Sequence, residues 1–208
     1  MTLPTQPDVI TSLAQLRALY APAGVRSLAK EIRFLDPHCE RFIALSPFVV
    51  LSSSNAAGDQ DATPRGGEAG FVKVPDTHTL LIPDASGNNR LDTLSNIVET
   101  GRIGLLFMVP GVDETLRVNG RAAVSLKTEH LNWFAGQKKP PSVVIAVTVE
   151  SAYLHCAKAF MRSRLWDAAM QVQREALPSM GEMMRDQTGL NIPAETQEQM
   201  LERYRQSM

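Results

Sequence analysis

Two arginines stand where a guanidinium can be held close to backbone amides. Arg90 closes residues 82–90, IPDASGNNR. There an apolar run ends, a loop of small and amide residues follows, and the arginine meets a stretch with helical spacing (Leu91, Leu94, Ile97, Val98). Free N–H groups at a helix start, joined by a fixed guanidinium, suit a phosphate monoester. Arg65 lies in TPRGG, between Pro64 and the pair Gly66 and Gly67, where backbone can approach a ligand closely. Each stretch alone reads equally well as a turn with a solvated arginine. On neighbouring antiparallel strands, Arg65 and Arg90 would grip one phosphate from two sides.

Two further stretches carry charge in a pattern. In ETLRVNGR, residues 114–121, a strand would point Thr115, Arg117 and Asn119 one way and Leu116 and Val118 into a core. The alternative is a plain solvated face. In CAKAFMRSRLW, residues 156–166, a helix would align Lys158, Arg162 and Trp166 at i, i+4 and i+8. That stripe fits an anionic aromatic ligand, or a solvated face whose tryptophan caps a core. The dipeptides His38-Cys39 and His155-Cys156 are poor zinc sites, because adjacent side chains diverge, and no metal is expected. No G-x-S-x-G elbow, P-loop or G-x-G-x-x-G is present.

The elements that must position these residues are legible from periodicity. The first 45 residues read as helical. Ser12 and Gln15 form a weak capping box with Leu13, Leu16 and Leu19 on one face, and Asp36-Pro37 starts a helix that ends near Ser46-Pro47. Strands are expected at residues 48–53, 79–83, 103–109, 115–125 and 142–149, with a short one opening into a loop within 61–70. Residues 91–100 and 155–166 read as helices, and Pro178 precedes a Met-rich helical tail. Six or so closely spaced strands favour an antiparallel barrel over a doubly wound sheet.

The 208 residues suffice for one core with flanking helices, and 21 Lys plus Arg balance 22 Asp plus Glu. That near-neutral balance offers no general attraction to nucleic acid or an anionic membrane. No apolar run approaches the ~20 residues that cross a bilayer. The N-terminus lacks a secretory pattern and two cysteines are too few for a disulfide scaffold, so a cytoplasmic location is expected.

In order, the segments FLDPHCERFIALSPFVVLSS, DATPRGGEAGFVKV, TLLIPDASGNNRLDTLSNI, GLLFMVPGVDETLRVNGRA and HCAKAFMRSRLW resemble a branch of FMN-dependent enzymes in the pyridoxamine 5'-phosphate oxidase-like superfamily, over residues 34–166. The resemblance implies a mainly β (α+β) antiparallel FMN-binding split β-barrel with flanking helices. It implies a homodimer with FMN at the subunit interface, acting as an oxidoreductase on a small-molecule substrate or electron donor. Residues 1–45 would pack on the barrel, 46–155 would form the flavin-binding core, and 156–208 would complete the site. Arg65, with Gly66 beside it, matches the early flavin-binding strand. Asn89 and Arg90 match the pair that holds the FMN phosphate, with arginine where the oxidase has lysine. Pro83 and Asp84 fall where backbone lies beside the flavin ring. Thr115 and Arg117 match a strand near the flavin, and Lys158, Arg162, Ser163 and Trp166 match the C-terminal motif.

One departure bears on chemistry. The authentic oxidase has an Arg-Leu-His-Asp-Arg type segment, whereas this chain reads Arg164-Leu165-Trp166-Asp167. Oxidation of pyridoxamine phosphate is therefore not expected. Two other readings stay open: a flavin carrier or sensor, whose flavin NADH or NADPH would not reduce usefully, and a colourless barrel that binds nucleotide or RNA in a salt-sensitive way.

Overall fold

The structure, a computed structural model, describes residues 9–84, 87, 89–190 and 193–207. They form two compact units, residues 1–163 and 164–208. In the first, seven antiparallel strands make one sheet: β1 (Phe48–Ser54), β2 (Gln60–Gly66), β3 (Lys73–Asp76), β4 (Thr79–Pro83), β5 (Arg102–Met108), β6 (Thr115–Ser125) and β7 (Val144–His155). Their order is β2-β1-β5-β6-β7-β4-β3. This is the antiparallel split barrel with flanking helices that the sequence led us to expect.

Alternation fills the interior. Val49 and Leu51 from β1, Ile103, Leu105 and Phe107 from β5, and Leu116 and Val118 from β6 are buried in one core, as the two-residue period of a strand requires. The run TLLIP of β4 is apolar on both faces for a reason. Leu80 and Ile82 enter the main core, and Leu81 packs with Phe134 and Val144 in a smaller cluster.

β7 is longer than the expected 142–149. Its parity changes at a bulge where Asn119 and Gly120 of β6 pair with Ser151 and Val149, skipping Glu150. Gly120 is the residue that permits the bulge, since a Cβ there would lie 2.1 Å from the Thr148 carbonyl oxygen. His155 therefore ends a strand and does not begin a helix. The edge strand β3 has no counterpart among the expected strands.

Residues 9–45 are helical only in pieces: α1 (Leu13–Ala18), α2 (Val25–Ala29) and α3 (Pro37–Leu45). The Ser12–Gln15 capping box is present, yet Leu13, Leu16 and Leu19 are all exposed. In α3, Asp36 accepts a hydrogen bond from the Cys39 amide and Pro37 occupies the first turn, as expected. Burial pushes the Cys39 thiol pKa up to about 11. After β4 comes α4 (Asp92–Thr100), then the single-turn α5 (Thr128–Leu131) before β7 and α6 (Lys158–Ser163) after it. The second unit holds α7 (Met180–Thr188) and α8 (Gln197–Ser207), two helices in place of one tail. No helix among the described residues is long and apolar enough to cross a membrane.

Gly120→Ala should destabilise the protein by about 2 kcal/mol or more, because backbone must move to admit the methyl. Chemical denaturation measures this, and a loss below about 0.5 kcal/mol would contradict the bulge's steric role.

Candidate functional site

β2 turns Asp61, Thr63 and Arg65 to one side, half-buried, while Gln60, Ala62, Pro64 and Gly66 are exposed on the other. In the sheet order β2 and β4 lie near opposite ends, yet Arg65 Nη2 reaches Asp84 Oδ1, just past β4, at 3.3 Å. The ion pair therefore spans the seam where the sheet curls upon itself. Its side chains are 23% and 19% exposed, so water screens them only partly. Arg65 Nε is buried and finds no hydrogen-bond partner among the described residues.

The chain then turns sharply into α4. Asn89 and Leu91 both take left-handed backbone, at φ 59° each, which an asparagine tolerates better than a leucine. Arg90 stands between them, exposed, with Nε 2.8 Å from Asp92 Oδ2. That hydrogen bond and the Asp92 charge raise the guanidinium pKa. No side chain among the described residues caps the α4 N-terminus. Ala85, Ser86 and Asn88, within the expected phosphate loop, lie outside the described residues.

The expected apolar face of α4 is buried in part, through Ile97 and the half-buried Leu94 packed on the main core. Leu91 and Val98 are exposed, while Thr93, Asn96 and Ile97 are buried. Thr93 Oγ1 donates to Asp61, and Asn96 Nδ2 donates to Ser53 Oγ at 3.0 Å. Polar pairs thus fasten the helix to β2 and β1. Sequence periodicity missed these residues, because their partners are distant in the chain.

The outcome is a cleft of about 220 Å³ lined by Asp61, Thr63, Arg65, Asp84, Gly87, Asn89, Arg90 and the first turn of α4. Arg65 and Arg90, read as partners from the sequence, do meet around one space. Each of the three carboxylates is already engaged: Asp61 with Thr93, Asp84 with Arg65 and Asp92 with Arg90. Gly66 and Pro83 do not line the cleft.

Residues 35–156, more than half of the chain, match the family described as pyridoxamine 5'-phosphate oxidase. The chain belongs to the pyridoxamine 5'-phosphate oxidase-like family. Among solved structures, it is similar to HupZ from Group A Streptococcus, with 17% identity and a TM-score of 0.48 over 57% of this chain and 92% of that one. A candidate pyridoxamine 5'-phosphate oxidase from Lactobacillus delbrueckii is 18% identical, with a TM-score of 0.47 over 59% and 95% of the two chains. HutZ, the heme storage protein from Vibrio cholerae, is 8% identical, with a TM-score of 0.43 over 58% and 93%. No curated protein matches the chain in sequence.

The remaining residues expected at the site do not line this cleft. Thr115 is buried at the start of β6, opposite His155. Two residues on, Arg117 is exposed, and its Nη1 donates to the Tyr153 hydroxyl at 2.9 Å. Asn119 donates to Ser151 at 3.3 Å. Leu116 and Val118 are buried, so the expected alternation of this strand holds.

Lys158, Arg162 and Ser163 sit on the exposed, six-residue α6. Arg162 Nε donates to the Lys158 carbonyl and Ser163 Oγ to that of Phe160. The expected stripe to Trp166 is not continuous. The helix stops at Ser163, and Arg164 adopts φ 52°, a left-handed backbone that breaks the i+8 register. There Arg164 folds onto Asp167, whose carboxylate also accepts from the Ala169 amide. Both contacts hold the Asp167 pKa below the ordinary range.

Proposed function

We propose that the protein is an FMN-binding oxidoreductase acting on a small molecule, with the cofactor phosphate held between Arg65 and Arg90. The observation that carries this reading is the buried Arg65 Nε, unpartnered among the described residues, in a cleft that a second arginine and Asn89 also line. A buried donor without an acceptor costs free energy, and a phosphate oxygen supplies the acceptor. The aspartates do not contradict an anion. Each is committed to a neighbour, and Asp84 and Asp92 hold the two guanidinium groups in place.

FMN, when bound, supplies hydride and electron transfer, the chemistry side chains lack. The chain binds and orients it. Arg117 and Lys158 are the candidates for positive charge beside the ring. Gly66, Pro83, Thr115, Arg162, Ser163 and Trp166 are the candidates for further contacts. A tryptophan in place of the oxidase's histidine, with Arg164 turned onto Asp167, argues against pyridoxamine phosphate as substrate.

The size of the cleft supports a shared site. About 220 Å³ falls short of the roughly 300–1,000 Å³ that encloses a whole ligand. It suits the phosphate end, and on this reading the ring lies against a second copy of the chain.

FMN should bind at least tenfold more tightly than riboflavin, and Arg90→Ala should cost FMN tenfold or more while sparing riboflavin. A charge-assisted hydrogen bond is worth about 1.5–3 kcal/mol, and the exposed Arg90 can be removed without disturbing the core. Fluorescence titration reads both constants, and equal affinity for the two flavins would refute the phosphate assignment.

Cofactor binding should also be linked to dimerisation. A ligand that binds only the dimer stabilises it by about 2.7 kcal/mol at a hundredfold excess over Kd. Sedimentation across a dilution series should therefore show FMN-free protein dissociating at higher concentration than FMN-loaded protein. A monomer that binds FMN as tightly as the dimer would contradict the shared site.

A further inference from the structure

Away from the cleft, the end of β7 gathers a second set of polar groups. β4 stops pairing with β7 at Thr148, and beyond it Ile32 bridges Ala152 through hydrogen bonds of 3.0 and 2.7 Å. That bridge brings in Lys30, whose Nζ donates to the Leu154 carbonyl at 2.8 Å and lies 5.2 Å from the Tyr153 ring centre. From the other neighbouring strand, Arg117 Cζ lies 5.6 Å from the same ring while its Nη1 binds the hydroxyl. His155 completes the group, its ring 4.9 Å from that of Tyr153.

The charge balance here is the reverse of that in the cleft. Among the described residues, neither Lys30 nor Arg117 forms an ion pair with a carboxylate. Two cations share one aromatic ring, which attracts each of them but neutralises neither. His155 Nε2 is buried and unpartnered among the described residues. Burial, Arg117 and Lys30 all depress its pKa, so the imidazole is neutral near pH 7. Uncompensated cations beside an unsatisfied polar atom attract an anion that can accept hydrogen bonds.

We propose that Lys30, Arg117, Tyr153 and His155 form a site for an oxyanion, the carboxylate or phosphate group of a small-molecule ligand. The exposed ends of Lys30 and Arg117 supply the charge. Tyr153 fixes the angle of the guanidinium, and His155 in its Nε2–H form offers a further donor. None of the four residues lines the Arg65 cleft, so the site stands without the phosphate assignment; under the FMN reading, Arg117 would face the ring and the bound oxyanion together. Joined to that reading, it names the substrate class as anionic.

The test titrates the full-length protein with inorganic phosphate and, separately, with benzoate, at constant ionic strength set by chloride. The readout is the carbon-bound ring proton of His155, assigned by its absence in His155→Gln. At least one probe should shift it saturably, and the more effective probe distinguishes phosphate from carboxylate as the ligand group. Arg117→Gln and Lys30→Gln should each raise the dissociation constant fivefold or more, whereas Arg90→Ala should leave it unchanged. Failure of the FMN assignment would appear in the Arg90→Ala flavin titration and would leave this result untouched. No saturable shift with either probe overturns the proposal. So does wild-type affinity in either glutamine variant, or equal weakening by Arg90→Ala.

Discussion

The ion pair between Arg65 and Asp84 is the contact on which the cleft depends. Two charges that are four-fifths shielded from water would be expensive apart, and they stay because each is paired. Being paired, they tie the edge strand β2 to the end of β4 across the open side of the sheet. An antiparallel sheet with free edges invites pairing with another chain. Here the two ends face each other, and α4 is fastened over the same seam through Thr93 to Asp61 and Asn96 to Ser53. The seam and the cleft are one place, so what closes the barrel also shapes the space that Arg90 and Asn89 enter.

The two polar clusters divide the chemistry. In the cleft, carboxylates hold the guanidinium groups, and one buried N–H has no acceptor among the described residues. At the end of β7, no carboxylate among the described residues pairs with Lys30 or Arg117, and burial with these two cations lowers the pKa of the nearby imidazole. The first arrangement favours a ligand that replaces a missing hydrogen bond, and the second a ligand that brings charge. Each draws on strand residues, Arg65 of β2 in one and Arg117, Tyr153 and His155 of β6 and β7 in the other, and strands hold side chains more firmly than loops do.

Much of this was legible in the sequence because strand burial is local. β4 and β6 run over the residues that their apolar patterns indicate. β3 was missed because Pro75 argues against a strand, yet an edge strand tolerates a proline. β7 was read short because the bulge at Glu150 shifts its alternation by one residue. Apolar spacing found Leu94 and Ile97 of α4 but not the buried Thr93 and Asn96, whose partners lie 32 and 43 positions away. The charged stripe ending at Trp166 was lost to the left-handed backbone of Arg164, which nothing in the local sequence announces. Lys30 and Tyr153 gave no signal and His155 only that of a poor zinc dipeptide, because only the bridge from Ile32 to Ala152 brings Lys30 to the other two.

The central claim is that Arg65 and Arg90 hold a phosphate dianion. Phosphorus NMR of the protein with FMN tests it most directly. A free phosphate monoester takes up its second proton near pH 6, whereas one gripped by two guanidinium groups should keep the dianion's resonance well below that pH. The account predicts a single bound resonance that stays at the dianion position from about pH 8 to 5. A bound phosphate that titrates as it does in free FMN would contradict it.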